Sequence, residues 1–265
     1  MNGVVIAILL VGGVGLFIGL FLGFAGIAFS VKVDAREEKV LEALPGNNCG
    51  GCGYPGCSGL ATAIVEGKAK VNACPVGGEP VGKKIASIMG VDAQDSVRMT
   101  AFVKCQGDCD KTKQDYEYTG VLDCQSVMFV PGNGPKTCNY GCMGYGSCVK
   151  ACPFDAIHVV DGIAKVDKKA CKACGKCVEA CPKKLIELVP YRANIKVSCN
   201  SNDKGPVVMK GCDVGCIGCG ICQKNCPEQA ITVNNFLAKI DYDLCSSCET
   251  CVEKCPKKAI IVEGR

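Results

Sequence analysis

Cysteine is the residue type on which the chemistry of this chain depends. The 265 residues include 25 cysteines, most of them in short CxxC groups. Such a density in a small secreted chain predicts a disulfide framework, but this chain is long enough to bury ordinary hydrophobic cores without cross-links. Grouped thiols also suit one metal centre better than several bridges across long loops. The pattern therefore favours metal ligation in a reducing compartment.

The strongest ligand pattern is an internal repeat. Five cysteines between Cys152 and Cys181 recur 74 residues later, between Cys226 and Cys255, and residues 216–227 add a further CxxCxxCxxxCP run. This run is typical of bacterial two-cluster ferredoxins, in which the fourth cysteine ligates the neighbouring cluster. We therefore predict [4Fe–4S] clusters on three ligand sets: Cys152, Cys171, Cys174 and Cys177; Cys216, Cys219, Cys222 and Cys255; and Cys226, Cys245, Cys248 and Cys251.

One run departs from this spacing. The segment CNYGCMGYGSCVKACP (138–153) has Tyr145 at the place that Cys219 occupies in the second copy. Cys138 is the nearest cysteine that could complete a cluster there, with the ligand set Cys138, Cys142, Cys148 and Cys181. The alternative is a three-iron cluster on three ligands. Another role for Cys138 also stays open, because the second copy keeps its equivalent, Cys212, beside a complete set.

A separate set of cysteines precedes the repeat. The motif NNCGGCGYPGC is followed, after sixteen intervening residues, by a Cys-Pro pair, which gives the ligand set Cys49, Cys52, Cys57 and Cys74. The glycines let the backbone wrap closely and aim N–H groups at sulfur, which tunes the potential of a cluster. Four thiolates also suit structural zinc, which is the alternative for this set.

Five clusters use twenty cysteines. The cysteines left over are Cys105, Cys109, Cys124, Cys199 and Cys212. We predict five clusters and leave a sixth open, formed by Cys105, Cys109 and Cys124 with Cys138 or by a mixed set with Cys199 or Cys212. The alternative is that these residues are buried free thiols, which pack as small hydrophobes.

The elements that position these ligands follow from hydropathy and turn signals. Residues 3–30 are uncharged and long enough for one transmembrane helix. Basic residues follow only afterwards, from Lys32, so the positive-inside rule places residues 32–265 in the cytoplasm, below a cell membrane crossed once. Glycines at every fourth position predict contact with a partner membrane helix: Gly15, Gly19 and Gly23.

The predicted fold class is α+β. Short helices are expected at 36–44 and 80–90, and each copy of the repeat reads as strand, turn and strand, with Asp161-Gly162 as a hairpin signal. The predicted divisions are a transmembrane helix (1–31), an N-terminal [4Fe–4S] domain and linker (32–100), a cysteine-containing insert (101–137), and two tandem 2[4Fe–4S] ferredoxin modules (138–194 and 195–265).

Charged residues suggest a docking surface. Six lysines surround the third cysteine run: Lys168, Lys169, Lys172, Lys176, Lys183 and Lys184. We hypothesise that they bind an acidic ferredoxin, because complementary charge steers encounter; a solvated face is the alternative. The single histidine, His158, is predicted to be a solvent-facing strand residue. Clusters of about −2 each outweigh the formal charge of +4, and nucleic-acid binding is not indicated.

The order of these motifs resembles one known family over the whole chain. A membrane helix, NNCGGCGYPGC with its distant Cys-Pro, and then ferredoxin modules look like the B subunit of Rnf complexes, which are membrane-bound ferredoxin:NAD oxidoreductases that move Na⁺ or H⁺. This chain departs from the shortest family pattern, which has one ferredoxin module.

The resemblance implies an electron-transfer subunit that takes electrons from reduced ferredoxin and passes them to membrane and NAD-binding partner subunits. No nucleotide-binding or hydrolase motif is visible in the sequence, so no substrate chemistry and no catalytic residue are expected on this chain. Two alternatives are weighed: a membrane-anchored polyferredoxin that serves a hydrogenase or another dehydrogenase, and a zinc-binding interaction scaffold.

Overall fold

A computed structural model describes residues 2–29, 34–92 and 97–263 of the chain. Helix α1 (Asn2–Ala28) carries the uncharged segment, and its stretch Val5–Gly26 is long and apolar enough to cross a membrane. Nothing lies within 4 Å of a side chain added at Gly15, Gly19 or Gly23, so contact with a partner helix stays a prediction. Lys32 lies outside the described residues.

Three helices form the domain that carries the first cysteine set: α2 (Ala35–Ala43), α3 (Gly56–Val65) and α4 (Gly78–Met89). Asp34 begins α2 by accepting a hydrogen bond from the Arg36 N–H (2.9 Å), and Gly90 ends α4 at a φ of 69°, a left-handed cap that favours glycine. The helices enclose a core of side chains at most 2% exposed: Val40, Leu60, Ile64 and Ile85. Both predicted helices are therefore present.

The first copy of the repeat has two short helices and four strands: α5 (Ser147–Lys150), α6 (Lys176–Ala180), β1 (Met99–Val103), β2 (Ile157–Val160), β3 (Ile163–Val166) and β4 (Ile186–Pro190). Strand β1 pairs antiparallel with β4, and β2 with β3. Asp161 and Gly162 both have positive φ, as a two-residue hairpin turn requires. The predicted boundary at residue 101 falls inside β1, so the first sheet extends into the segment expected to be the insert.

The second copy repeats this plan with three short helices and four strands: α7 (Gly205–Gly211), α8 (Ile221–Lys224), α9 (Thr250–Glu253), β5 (Ile195–Val197), β6 (Ile231–Asn234), β7 (Leu237–Ile240) and β8 (Ile260–Val262). Strand β5 pairs with β8, and β6 with β7. Each copy thus has a hairpin and a second strand pair, with its own hydrophobic core.

The insert between β1 and α5 contacts both copies. Thr112 forms an antiparallel bridge with Cys212 of the second copy, and the Cys109 N–H donates to the Asp161 carbonyl of the first copy at 3.1 Å. Two 3-10 turns follow, at Ser126–Phe129 and Pro131–Asn133. Because the insert crosses from one module to the other, its cysteines can reach both.

A buried group of charges also joins the two modules. The side chain of Lys196 on β5 is fully buried; its Nζ lies 2.7 Å from Glu263 Oε1 and 4.7 Å from the ring centroid of Phe102 on β1. Glu263 also pairs with Lys168 of the first module at 2.8 Å. The Lys168–Glu263 pair and the packing of Lys196 against Phe102 cross between the modules, so these contacts link them.

Candidate metal centres

Site 1 is the cysteine set of the helical domain: Cys49, Cys52, Cys57 and Cys74. Cys57 lies in the first turn of α3, where its N–H donates to Asn48 Oδ1 at 2.8 Å. The Gly77 N–H points at Cys74 Sγ (3.4 Å). Burial, with a smaller contribution from the thiols of Cys52 and Cys57, raises the pKa of Cys74. Cysteines grouped by the sequence motif, Cys52, Cys57 and Cys74, therefore also lie close together in the structure.

Site 3 is the set Cys152, Cys171, Cys174 and Cys177. Burial raises the pKa of Cys177 to about 11, and the thiols of the other three members add to the shift. The N–H groups of Ala101 and Ala173 lie 3.3 and 3.4 Å from Cys171 Sγ. Strand β1 therefore supplies a donor to a thiol seventy residues away.

Site 2 is where the structure differs from the expected ligand set. One cavity of about 460 Å³ is lined by four cysteines: Cys124, Cys142, Cys148 and Cys181. Cys138 does not line it, and Cys124 of the insert lies there instead. Burial, together with the thiols of Cys142, Cys124 and Cys181, raises the pKa of Cys148 to about 12. Four thiols thus surround this cavity despite the tyrosine in the motif.

A short polar network holds Cys124 at this cavity. Its N–H donates to Ser147 Oγ on α5 at 3.0 Å, and Ser147 Oγ donates to Asp123 Oδ1 at 2.8 Å. Hydrogen bonds, that from Ser147 first, lower the pKa of Asp123. Tyr145 packs against the ring of Tyr118, with ring centroids 5.9 Å apart. The network attaches the loop of Cys124 to the helix that carries Cys148.

Site 6 gathers cysteines from the insert, the irregular run and the second module. A cavity of about 370 Å³ is lined by Cys105, Cys138, Cys199 and Cys212. Burial raises the pKa of Cys105 to about 11 and that of Cys199 to about 12. The Ser201 N–H lies 3.5 Å from Cys199 Sγ, and the Thr112 hydroxyl lies 3.9 Å from Cys212 Sγ. The sequence left open a mixed set with Cys199 or Cys212, and the structure places both of these cysteines beside Cys105 and Cys138.

Sites 4 and 5 occupy the second module. A cavity of about 360 Å³ is lined by the members of site 4: Cys216, Cys219, Cys222 and Cys255. One of about 290 Å³ is lined by the members of site 5: Cys226, Cys245, Cys248 and Cys251. Both sets coincide with those expected from the crossed ligation of the two runs.

Cys109 is the cysteine left outside the six sites. It is exposed and lies against the hairpin turn, where its N–H donates to the Asp161 carbonyl at 3.1 Å. Its Sγ would lie 2.5 Å from a side-chain carbon added at Gly162. The predicted alternative that placed Cys109 with Cys105 and Cys124 therefore differs from the structure, which separates all three.

The spacing of the thiols fits a cluster better than a single ion. Within the described ranges 2–29, 34–92 and 97–263, no group of three or more His, Cys, Asp or Glu side chains is close enough to hold one metal ion. Tetrahedral zinc would need four sulfurs about 2.3 Å from one centre. At sites 2, 4, 5 and 6 the thiols instead surround cavities, and backbone N–H groups of Ala156, Leu185 and Ala259 point at Cys152, Cys181 and Cys255 at 3.3–3.4 Å. Such donors stabilise clusters and tune their potentials.

The six sites form a continuous row. Cysteines of neighbouring sites are close enough for one thiol to raise the pKa of the next, or to accept a hydrogen bond at the central step: Cys49 of site 1 with Cys174 of site 3, Cys177 of site 3 with Cys148 of site 2, Cys142 of site 2 with Cys105 of site 6, Cys199 of site 6 with Cys216 of site 4, and Cys222 of site 4 with Cys251 of site 5. At the central step, the Cys142 N–H lies 3.4 Å from Cys105 Sγ. The order along the row is 1, 3, 2, 6, 4 and 5.

Comparison with known proteins identifies the family. Residues 44–76 match the family "Putative Fe-S cluster", and residues 131–182 and 215–260 each match a family described as "4Fe-4S dicluster domain". The chain is 47% identical over 246 residues to the B subunit of the Na⁺-translocating ferredoxin:NAD⁺ oxidoreductase complex of Acetobacterium woodii, a match that covers 92% of this chain and 74% of the relative. The chain belongs to the RnfB family, the B subunits of Rnf complexes.

Two further RnfB relatives match almost the full chain. The B subunit of the proton-translocating ferredoxin:NAD⁺ oxidoreductase complex of Clostridium ljungdahlii is 42% identical, across 93% of this chain and 87% of the relative. The B subunit of the ion-translocating oxidoreductase complex of Methanosarcina acetivorans is also 42% identical, across 93% of this chain and 94% of the relative.

Family membership settles several predictions. The predicted RnfB family and the α+β class with [4Fe–4S] domains are confirmed. Electron transfer within a multi-subunit oxidoreductase complex is therefore the general role of the chain, with other subunits of that complex as its partners. The hydrogenase-serving polyferredoxin and the zinc scaffold have no support in these matches.

The lysines predicted to form a docking rim do not all reach solvent. Lys183 Nζ is buried, and Lys168 is held by Glu263 and lies over the ring of Tyr191. The other members face solvent or are half-buried: Lys169, Lys172, Lys176 and Lys184. His158 lies half exposed on β2, opposite Lys165, as expected of a solvent-facing strand residue.

Proposed function

We propose that this chain accepts electrons from reduced ferredoxin and passes them to partner subunits of a membrane-bound Rnf complex. In this proposal the complex reduces NAD⁺ and couples the reaction to translocation of Na⁺ or H⁺, which makes it a translocase. The observation that carries the proposal is the unbroken row of six thiol sets, from the domain next to the membrane helix to the C-terminal module. A bound [4Fe–4S] cluster supplies one-electron transfer at low potential.

We assign six clusters rather than five. Sites 1, 3, 4 and 5 keep the ligand sets expected from sequence. Cys124 replaces Cys138 at site 2, which supports a four-iron rather than a three-iron cluster there. Cys138 instead joins Cys105, Cys199 and Cys212 at site 6. Without site 6 the row would be interrupted between the two ferredoxin modules, so this site is the link on which transfer between them depends.

The exposed lysines of the first module are the proposed docking surface for ferredoxin. We define the lysine rim as Lys169, Lys172, Lys176 and Lys184. Three of these positions are not basic in the second copy, where their counterparts are Asp243, Ser246 and Thr250. The rim therefore distinguishes site 3 from the repeat-related site 5, and its charge complements an acidic partner.

Membrane attachment through α1 is proposed to place residues 32–265 on the cytoplasmic side. Described basic residues follow the span, at Arg36 and Lys39, as the positive-inside rule requires of a cytoplasmic flank. A soluble ferredoxin donor is on that side as well.

The test is anaerobic purification of the full chain in detergent, with iron and sulfide analysis and low-temperature EPR. We expect about 24 iron atoms per chain, since six cubane clusters carry four each, and EPR signals that appear when reduced ferredoxin is added. About 20 iron atoms would remove site 6 from the proposal. A colourless protein, or iron that reduced ferredoxin does not reduce, would contradict the function itself.

A further inference from the structure

Lys183 places a positive charge between two of the six sites. Its Nζ is buried and has no hydrogen-bond partner among the residues that the structure describes. Its side chain lines the cavity of site 2, and its carbonyl accepts a hydrogen bond from Asn200 Nδ2 (3.5 Å), a residue that lines site 6. The lysine therefore lies in the wall that separates these cavities.

The charges around Lys183 are thiols of both sites. Burial lowers the pKa of Lys183, and the thiols of Cys138, Cys142 and Cys105 oppose that shift. A buried charge costs several kcal/mol unless an opposite charge compensates it. These thiols are the largest compensating groups around Lys183; a metal-bound thiolate set would supply the negative charge.

A second lysine, Lys136, is buried near site 6. Lys136 is only 4% exposed, and its Nζ donates to the carbonyls of Gly107 (2.9 Å) and Gly162 (3.2 Å). Its charge acts on Cys105 of site 6. Two lysines are thus buried beside the step that joins the two modules.

The second copy of the repeat offers an internal comparison. Lys257 follows Cys255-Pro256 as Lys183 follows Cys181-Pro182, and it lines the cavity of site 4. Within the described part of the chain, its Nζ is not among the buried nitrogens without a partner. The burial of Lys183 is therefore not a requirement of the CPKK motif but a property of the junction with site 6.

We propose that the Lys183 ammonium sets the reduction potentials of the clusters at sites 2 and 6, raising both. This inference depends on the proposed function. In each reduction one electron comes from the external donor, no bond forms or breaks, and the cluster with its thiolates goes from about −2 to about −3. A fixed cation in a low-dielectric wall stabilises the added charge. Because one ammonium lies beside cysteines of both sites, it moves their potentials in the same direction and changes the difference between them less than either potential.

The experiment is an EPR-monitored redox titration of the full chain and of Lys183→Met. Dithionite is the reductant, and iron is counted in every sample. We expect two signals to titrate at more negative potentials in Lys183→Met while iron content is unchanged. The matched controls are Lys184→Met, which removes the exposed neighbour, and Lys257→Met, which removes the repeat-related lysine; neither should move these two signals.

Ionic strength separates a buried from a surface effect. Salt screens buried charges much less than exposed ones, so the shift in Lys183→Met should persist at high salt. If Lys183→Met loses iron, the potentials of Lys183→Arg, which keeps the charge, and of Lys183→Gln, which removes it, are compared instead. We expect Lys183→Arg to keep the wild-type potentials and Lys183→Gln to lower them.

Two results would overturn the inference. One is unchanged potentials in Lys183→Met at full iron content, and the other is loss of the same clusters from both Lys183→Arg and Lys183→Gln, which would make the side chain a packing element. Wild-type protein without iron would instead contradict the proposed function.

Discussion

Cys124 lines the cavity of site 2 although it lies far in sequence from the motif that it is proposed to complete. It precedes Cys142 by eighteen residues, in a loop fixed by Asp123 and Ser147. Its position frees Cys138, only four residues from Cys142, for a different site. Proximity along the chain is therefore a weaker guide to ligation than the loop geometry that delivers the thiol.

Substituting Cys124 with serine tests the assignment of site 2. We expect Cys124→Ser to lose about four iron atoms or to leave a three-iron cluster with its own EPR signal, because three thiols remain. Cys109→Ser is the matched control and should keep full iron, since Cys109 lies outside the six sites. Cys138→Ser should change the signal of site 6 and leave that of site 2. Full iron content and an unchanged EPR spectrum in Cys124→Ser would show that the fourth ligand of site 2 is a residue other than Cys124.

The sequence predicts which cysteines lie together where the runs are regular, and it does not where they are irregular. In runs such as that from Cys216 to Cys226, the short spacing makes the backbone fold locally around one centre and so determines which cysteines come together. Site 6 draws its cysteines from Cys105 to Cys212, and its assembly depends on a strand bridge at Thr112. The burial of Lys183 could likewise not be predicted from its position among the lysines of the sequence, because it depends on packing against site 6.

At the scale of elements, the contact between the helical domain and the first module is made by backbone. A side-chain carbon added at Gly51 would lie 2.5 Å from the Cys174 carbonyl oxygen and 2.9 Å from its Cα. Gly51 belongs to the loop of site 1, and Cys174 belongs to site 3. The absence of a side chain at Gly51 thus lets the two ligand loops touch.

Adding a methyl group at Gly51 should therefore weaken this contact. The two backbones must move apart by about 1 Å to reach an ordinary contact, and overpacking of this kind typically costs about 1–3 kcal/mol. We expect Gly51→Ala to keep its iron but to slow electron exchange between sites 1 and 3. Freeze-quench EPR measures the exchange, and hydrogen exchange of the peptides carrying Gly51 and Cys174 measures the contact.

Gly53→Ala is the control for this prediction. It adds the same methyl group in the same loop, facing open space. Its positive φ of 83° makes it the more strained backbone substitution, so general loop damage would affect it more. Equal rates in Gly51→Ala and wild type would show that the transfer does not depend on this contact.

The elements themselves were largely predictable, because their signals are local. The uncharged span, the two amphipathic helices and the hairpin at Asp161-Gly162 each depend on a few adjacent residues. The pairing of β1 with β4 joins residues about ninety positions apart. No short-range pattern in Met99–Val103 identifies that partner, which is why the predicted boundary at residue 101 divides β1.

At the scale of the whole molecule, the row of sites offers two candidate surfaces to a soluble donor, one beside site 3 and one beside site 5. Cys174 of site 3 is half-buried and its counterpart Cys248 of site 5 is exposed, and the repeat gives the two sites equivalent cysteine sets. Their rims differ in charge. Lys169, Lys172 and Lys176 correspond to Asp243, Ser246 and Thr250 at the equivalent positions of the second copy. Attraction of an acidic ferredoxin should therefore favour the first module.

Charge reversal on the lysine rim tests this choice. We expect Lys172→Glu with Lys176→Glu to lower the rate constant for reduction by ferredoxin at low ionic strength by at least about tenfold, since steering by complementary charge changes association rates about 10–10³-fold. The difference should shrink as salt is added, because exposed charges more than about 10 Å apart are screened at 0.1 M. Lys224→Glu with Lys254→Glu makes the same change in net charge on exposed residues of the second module. An equal loss of rate in that control would show that net charge, and not the rim beside site 3, governs encounter; a larger loss there would place ferredoxin at the second module.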